Sequence, residues 1–492
     1  MKKLIWFSFV ALFIMASCSK SERSDFGIYP DEIIKAGPES SQVIVVPPDK
    51  DGDGDDTEEL RAAIDAAGPG TLIQLLEGEY HVGYLEVYGF HGVIAGAGSE
   101  KTLITMKTPI DQIAQIASNQ SAGWWRLIGG DITISNIAFK TPDGFLSEEG
   151  GYDPNSGSDL FAMFLVNNYN DEYYHPEEQQ KLIVKSCNFI GGTNTDTSKD
   201  VYWKTDHNTY IAIWVGMEYY WPKENLDYPL TKGDYMFKDC YFEHFLDGVE
   251  GFSLGELATM EVSKCKLNNC MWPLFFLANY NSNIYITENI FTNSQEYDIA
   301  IDDWDAGFLP NTIINPIRRC SYVITGNQFN KSTVSSIYLC DWGIGQEPVQ
   351  GLPMMITVKG NQFNLSGSGI AVTAYNSQDA VIRNNTFSGT CDKGILIDGA
   401  SQELYGAPIP LEVYANNVLV LGNNFNGLKA TTASIVLGEK SSNCNVVGNG
   451  KDSVIDNGTD NKIVGMKPKT GGYHAGPTIR DNLRNFHGMR PH

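Results

Sequence analysis

Short β-branched runs alternate with tight polar turns through most of the chain, and one phrase keeps returning. It reads Ile284-Tyr-Ile-Thr-Glu-Asn-Ile-Phe291, then Tyr322-Val-Ile-Thr-Gly-Asn-Gln-Phe329. It returns as Ile356-Thr-Val-Lys-Gly-Asn-Gln-Phe363 and Ala380-Val-Ile-Arg-Asn-Asn-Thr-Phe387. Each copy carries the apolar/polar alternation of a half-buried strand, then a turn, an Asn, and a Phe two residues later. Earlier versions are Ile132–Phe139, Leu182–Phe189, Tyr235–Phe242 and Met260–Leu267, and a later one is Val418–Phe425. A degenerate copy lies near Cys444–Asn449.

The anchors fall at 139, 189, 242, 267, 291, 329, 363, 387 and 425, with gaps of 50, 53, 25, 24, 38, 34, 24 and 38. A floor of 24 with additions is the spacing of a solenoid with loop insertions. The two longest gaps leave open an extra coil or one large insertion each. Two residues before each anchor stand Ile137, Cys187, Cys240, Cys265, Asn289, Asn327, Asn361, Asn385 and Asn423. Stacked coils bring equivalent residues about 4.8 Å apart. An Asn column can then pass amide hydrogen bonds along the stack. Cysteines in that column read as small buried stackers; disulfides stay allowed but are not required. A second apolar run follows each anchor, as in Leu274-Phe-Phe-Leu277, Asp298-Ile-Ala-Ile301 and Ser336-Ile-Tyr-Leu339. The insertions come after this run, at 302–321, 340–355 and 398–417, so variable loops gather along one edge.

Ahead of the repeat, Asp49-Lys-Asp-Gly-Asp-Gly-Asp-Asp56 leads into Thr57-Glu-Glu-Leu-Arg-Ala-Ala-Ile-Asp-Ala-Ala67. Leu60 and Ile64 have helical spacing, Asp and Thr suit the cap, and acids suit the first turn. The alternating aspartates also invite a calcium loop. Residue 60 is Leu where such a loop places Glu, so calcium is possible but not required. Asp-Asp-Thr, the helix, and the strand segment Gly68–Tyr80 together resemble the N-terminal cap of right-handed parallel β-helix proteins. That superfamily includes pectate lyases and polygalacturonases. The resemblance implies an all-β, right-handed parallel β-helix solenoid with an N-terminal capping helix. The expected organisation is a signal at 1–17, a tether and lead-in at 18–48, the solenoid at 49–465 and a C-terminal cap or tail at 466–492. Within that tail, Pro477–Phe486 is read as a short helix.

The first residues follow a different pattern. Lys2 and Lys3 precede an apolar run from Leu4 to Met15, too short to span a bilayer, ending in Ala16-Ser17-Cys18. This resembles a bacterial lipoprotein signal, which implies cleavage before Cys18, a lipid on its thiol, and anchoring at the outer membrane or cell surface. No later run is apolar enough to cross a membrane.

The formal net charge of −24 argues against nucleic acid, whose binding needs clustered Lys and Arg. A polysaccharide or other glycan fits better. Registering the second runs by their apolar residues places Asp303 and Asp341 on neighbouring coils. Beside them it places a row of aromatics, Tyr280, Trp304, Trp342 and Tyr375, with Glu256 at the head of the acidic column. Aromatic rows suit the C–H faces of sugar rings. Adjacent carboxylates suit glycosidic cleavage, because two like charges raise one pKa and leave an acid beside a base or nucleophile. The same residues also fit a bland structural use, with aromatics packed under loops and aspartates capping turns.

Two alternatives stay open. A lyase or epimerase acting on uronates would use cations or a histidine, for which Arg318, Arg319 and His207 are available. A non-catalytic glycan-binding or scaffold lipoprotein would use the aromatics alone. Polygalacturonase-like enzymes carry Asn-Thr-Asp, Asp-Asp, Gly-His-Gly and Arg-Ile-Lys in order. This chain has Asn194-Thr-Asp196 and Asp302-Asp303 without the last two, so those roles are not carried over. No Ser–His–Asp elbow, phosphate loop or zinc motif is present.

Overall fold

The computed structural model describes residues 42–49, 52–107, 123–143, 162–167, 179–193, 209, 211–216, 232–252, 254–255, 258–277, 279, 282–302, 320–340, 355–375, 377–399, 401–402, 411–412, 414–449, 453–465 and 467–468. The chain winds as a right-handed parallel β-helix. Each coil lays one strand on a first sheet of 14 strands, turns, adds a short strand, turns again, and adds a longer strand. Short and long strands belong to a second, 22-stranded set of ladders. Nearly every pairing is parallel and joins one coil to the next, so each backbone ladder runs along the axis.

The repeat phrase builds the first corner. Its β-branched run is the first-sheet strand, for example Asn283–Thr287, with Ile284 and Ile286 buried. The next residue must take a left-handed backbone. That column holds Lys264, Glu288, Gly326, Gly360, Asn384, Gly422 and Gly448, with φ between 54° and 70°. The Asn after it turns inward. The amides of Asn289, Asn327, Asn361, Asn385 and Asn423 each donate to the Oδ1 of the next member, ending at Asn449, at 2.9–3.0 Å. The same Oδ1 accepts the backbone N–H of the preceding Asn, and the amide also reaches a first-sheet carbonyl one coil back. Cys187, Cys240 and Cys265 continue the column upstream. Their thiols donate to Ile134 O, Val184 O and Phe237 O, the same use of a corner carbonyl without the side-chain relay. All eight described cysteines are buried.

The anchor rings stack inside. Phe291, Phe329, Phe363, Phe387 and Phe425 follow one another at 4.6–5.0 Å, nearly parallel. Burying each ring is worth about 1.5–3 kcal/mol. Phe139 pairs directly with Phe189, and Phe189 with Phe242. The long gaps therefore hide no extra coil; each is one coil with inserted chain. In those coils the insertions interrupt the path between short and long strand as well as the path after the long strand. The variable edge expected from the later coils thus has a counterpart on a second edge.

The helix Thr57–Asp65 buries Leu60 and Ala63 in the solenoid core, which makes it the N-terminal cap. Its entry differs from a simple Asp cap. Asp56 makes no side-chain cap bond; its carboxylate accepts the N–H of Asp49 and, at 2.8 Å, that of His81. Asp55 accepts from Thr57, and Lys107 pairs with it at 3.1 Å. These carboxylates are engaged by amides and an ammonium. Val43–Val46, inside the segment read as lead-in, pairs with Thr71–Leu75 and is the first rung of the first sheet. The signal segment and the Pro477–Phe486 stretch lie outside the described residues. Among the described residues, no helix is long and apolar enough to cross a membrane.

Candidate functional site

The long strands bury both faces. Trp272–Leu277, Tyr297–Asp302 and Ser335–Cys340 follow one pattern in register. Leu274, Ile299 and Ile337 point into the solenoid, as do Phe276, Ile301 and Leu339. Trp272, Phe275, Tyr297, Ala300 and Tyr338 form a second apolar cluster on the outward face, with Ile211 and Trp214. Tyr297 and Tyr338 stack at 4.9 Å, and Tyr375 meets Tyr338 edge-on at 6.1 Å. Trp272 donates its indole N–H to Glu296 at 3.0 Å.

Two acids stand within this aromatic face. Asp247 pairs with Ile211 and Trp272, and Glu250 with Trp214 and Phe275. Strict alternation would send residues three apart to opposite faces. Here Ile211 and Trp214 both face outward while Ala212 and Ile213 both face inward, so the alternation skips a beat. Gly248 sits at the skipped position; a Cβ there would meet Pro273 O at 2.6 Å. Asp247 and Glu250 are 4% and 1% exposed, and Asp247 Oδ1 and Glu250 Oε1 have no hydrogen-bond partner. Burial pushes both carboxyls well above the usual carboxylate range. Asp247 is raised further by the charge of Glu250 and by a hydrogen bond to it. The pair is an acid that keeps its proton beside a second carboxyl.

Other ionisable groups flank it. At one end, Arg126 donates to Glu86 at 2.9 Å, and Tyr88 donates to the same carboxylate at 2.8 Å. At the other, Asp398 accepts the N–H groups of Gly399 and Lys440 at 2.9 and 3.0 Å; burial still raises its pKa. Asp298 sits at the inner corner. It accepts from Ser294 and Ser332, and burial pushes it up to about 7 against those bonds. Among the described residues, no group of three or more His, Cys, Asp or Glu is placed to hold a metal ion.

Of the residues expected from sequence, Tyr375 is described, half-buried, and paired with Cys340. That places it two positions short of a column with Trp342. The β-branched run ends at Val372, yet the strand goes on, with Thr373 outward and small Ala374 in the inward place of Leu339. On the preceding pair of strands, Phe276 matches Ile301 and Leu277 matches Asp302. Glu256, Tyr280, Asp303, Trp304, Asp341, Trp342, Arg318, Arg319, His207 and Cys18 lie outside the described residues. Asn279 is buried and staples the turn, accepting Leu254 N–H at 2.8 Å and donating to Gly251 O at 3.0 Å. The Asp247–Glu250 pair was not singled out by sequence; its only signal is Asp247-Gly-Val-Glu250 in the register of the apolar runs.

No protein-family model matches the chain, and no curated protein does. Solved structures of similar fold include the Family 28 exopolygalacturonase of Yersinia enterocolitica. It shares 11% identity at a TM-score of 0.46, over 88% of this chain and 79% of that one. The Dettilon tailspike protein shares 12% identity at 0.45, over 85% and 68%. The surface adhesin PfbA of Streptococcus pneumoniae shares 12% identity at 0.43, over 87% and 91%. At such identities the likeness is one of fold alone.

Proposed function

We propose that this is an exported, lipid-anchored β-helix protein that acts on a polysaccharide, cleaving glycosidic bonds with Asp303 and Asp341. One observation carries the reading: Asp302 pairs with Cys340 on adjacent strands. Adjacent strands of such a ladder run about 4.8 Å apart, and the residues that follow these two in the sequence are Asp303 and Asp341. Carboxyls one rung apart suit the closer spacing of a retaining pair, in which one protonates the leaving oxygen and the other attacks the sugar. Further support comes from half-buried Tyr375, which pairs with Cys340 on the next strand and meets the buried Tyr338 edge-on, itself stacked on Tyr297.

The test is reducing-end release from a polysaccharide panel by the wild type, Asp303→Asn and Asp341→Asn. Either variant is expected to lose at least about 10²-fold in rate. Full activity in both would remove the hydrolase assignment. Unsaturated-uronate absorbance would replace it with a lyase using Arg318, Arg319 or His207. Binding without product, lost in Trp304→Ala, would replace it with a glycan-binding protein. For the anchor, Cys18→Ala is expected to move the protein from the membrane to the soluble fraction; unchanged membrane retention would reject lipidation at Cys18.

A further inference from the structure

Along the later long strands the outward residues Trp272, Phe275 and Tyr338 are buried, but at the first rung this face is open. The strand Leu85–Tyr88 turns Leu85 and Val87 into the core and Glu86 and Tyr88 outward. Tyr88 is 40% exposed, and the Glu86 side chain 30%. The chain leaves this strand through Gly89 and Phe90, with Gly89 left-handed at φ 54°, and passes straight into His91–Ala95. This turn therefore carries no insertion. Opposite it stands the end of the cap helix, where Asp65 is exposed and Gly68-Pro-Gly70 leads into the next strand. Gly70 N–H donates to His91 O at 2.7 Å, which ties the two segments together. Between them lies a cleft of about 340 Å³, with Asp65, Pro69, Glu86, Tyr88, Phe90 and His91 in its walls. That volume is at the lower end for ligand sites and suits one small ring rather than a folded partner.

The walls have a definite chemistry. Tyr84, Tyr88 and Arg126 all donate to Glu86, so its carboxylate is held in one orientation. A carboxylate has about four acceptor positions, which leaves room for a further donor. Asp65 adds a second carboxylate, and the last turn of the helix adds carbonyls without helical partners. The exposed His91 ring offers a donor or an acceptor. The cleft thus joins a tyrosine and proline wall to a surplus of acceptors. A phosphate or carboxylate ligand would set acceptors against acceptors. A purely apolar ligand would strand the polar groups. A compact ring with a C–H face and several hydroxyl donors matches both walls.

We propose that this cleft is a second sugar-binding site, taking a single pyranose unit with its C–H face on Tyr88 and its hydroxyls on Glu86, Asp65 and His91. It is separate from the cleavage centre proposed above. Six strand pairings along the ladder lie between Leu85–Tyr88 and Tyr297–Asp302. At one rung each they set the two about 29 Å apart along the axis. The site needs no catalytic group and stands whether or not the protein cleaves its glycan.

The experiment is saturation-transfer NMR on the full chain with the methyl glycosides of glucose, galactose, mannose, xylose and N-acetylglucosamine. At least one is expected to bind with a dissociation constant of about 1 mM. Tyr88→Ala and Asp65→Ala, both at exposed positions, are each expected to weaken it at least about fivefold with an unchanged melting temperature. Tyr414→Ala, which removes an exposed tyrosine outside the cleft, is expected to leave binding unchanged. Binding by none of the sugars would overturn the proposal, as would an equal loss in Tyr414→Ala. Binding that survives Tyr88→Ala but is lost in Trp304→Ala would also overturn it, and would leave the cleavage reading standing. That reading is measured separately, by product release from polymers.

Discussion

Asp247 and Glu250 lie on the same outward face of one strand although they are three positions apart. Each has an oxygen without a partner. Their proximity without solvent fixes their protonation more than their sequence does. Burial raises both, and Glu250 raises Asp247 further.

This has a sign that can be checked. In the unfolded chain these carboxyls titrate at about 4. In the folded chain they, and Asp298 at about 7, hold their protons to higher pH. The folded state binds more protons, so the stability these groups contribute is full below about pH 4 and is lost as pH rises through the folded values. For Asp298 that loss falls between about pH 4 and 7. Asp298→Asn is expected to flatten this part of the curve. Denaturant midpoints across pH would show it; a wild-type stability that rises over that window contradicts it.

The Asn column should be costly to interrupt. Asn361→Ala removes the acceptor of Asn327 N–H and the donor to Ile324 O in a buried corner. The expected loss is about 2–4 kcal/mol. Asn361→Cys should fall between, because Cys265 already shows a thiol serving the carbonyl at this position. Urea unfolding of the two variants would rank them; equal stability of Asn361→Ala and wild type would show that the ladder contributes little.

Glu288 occupies a left-handed position, φ 58°, where the following coils have Gly326 and Gly360. A side chain there costs about 1–2 kcal/mol that glycine avoids. Its ion pair with Lys264, at 3.9 Å on the surface, returns little. Glu288→Gly is therefore expected to stabilise the protein by about 1 kcal/mol, read as a higher melting temperature.

The thiols offer a probe of native packing. The eight described cysteines are buried, and burial pushes the thiols of Cys187, Cys265, Cys270, Cys391 and Cys444 up. A thiol reagent should leave all eight unlabelled in the native state and reach them on unfolding. Rapid native labelling of Cys265 would contradict its place in the column.

Much of this architecture was legible in the chain. The Asn and Phe positions announce themselves because each has one chemical job repeated at every coil. The long strands did not register as well, since both faces are buried and the apolar run has no alternation to count. Tyr375 was displaced by two places for that reason: Ala374 gave no cue that the strand continued inward. The acid pair escaped notice because a spacing of three in a strand normally separates side chains. The skipped beat at Gly248 is a property of the corner, and nothing local in Asp247-Gly-Val-Glu250 declares it.

The amide relay has one more consequence. Every Asn from 289 to 423 presents the same acceptor to the coil before it and the same donor to the coil after it. Removing residues 327–360 would bring Asn289 to face Asn361, with each group meeting its usual counterpart. In this stretch the solenoid is written in interchangeable units, so evolution or a designer can change its length by whole turns without rewriting the seam. Upstream of Asn289 the thiols relay nothing, and the same excision has no such guarantee.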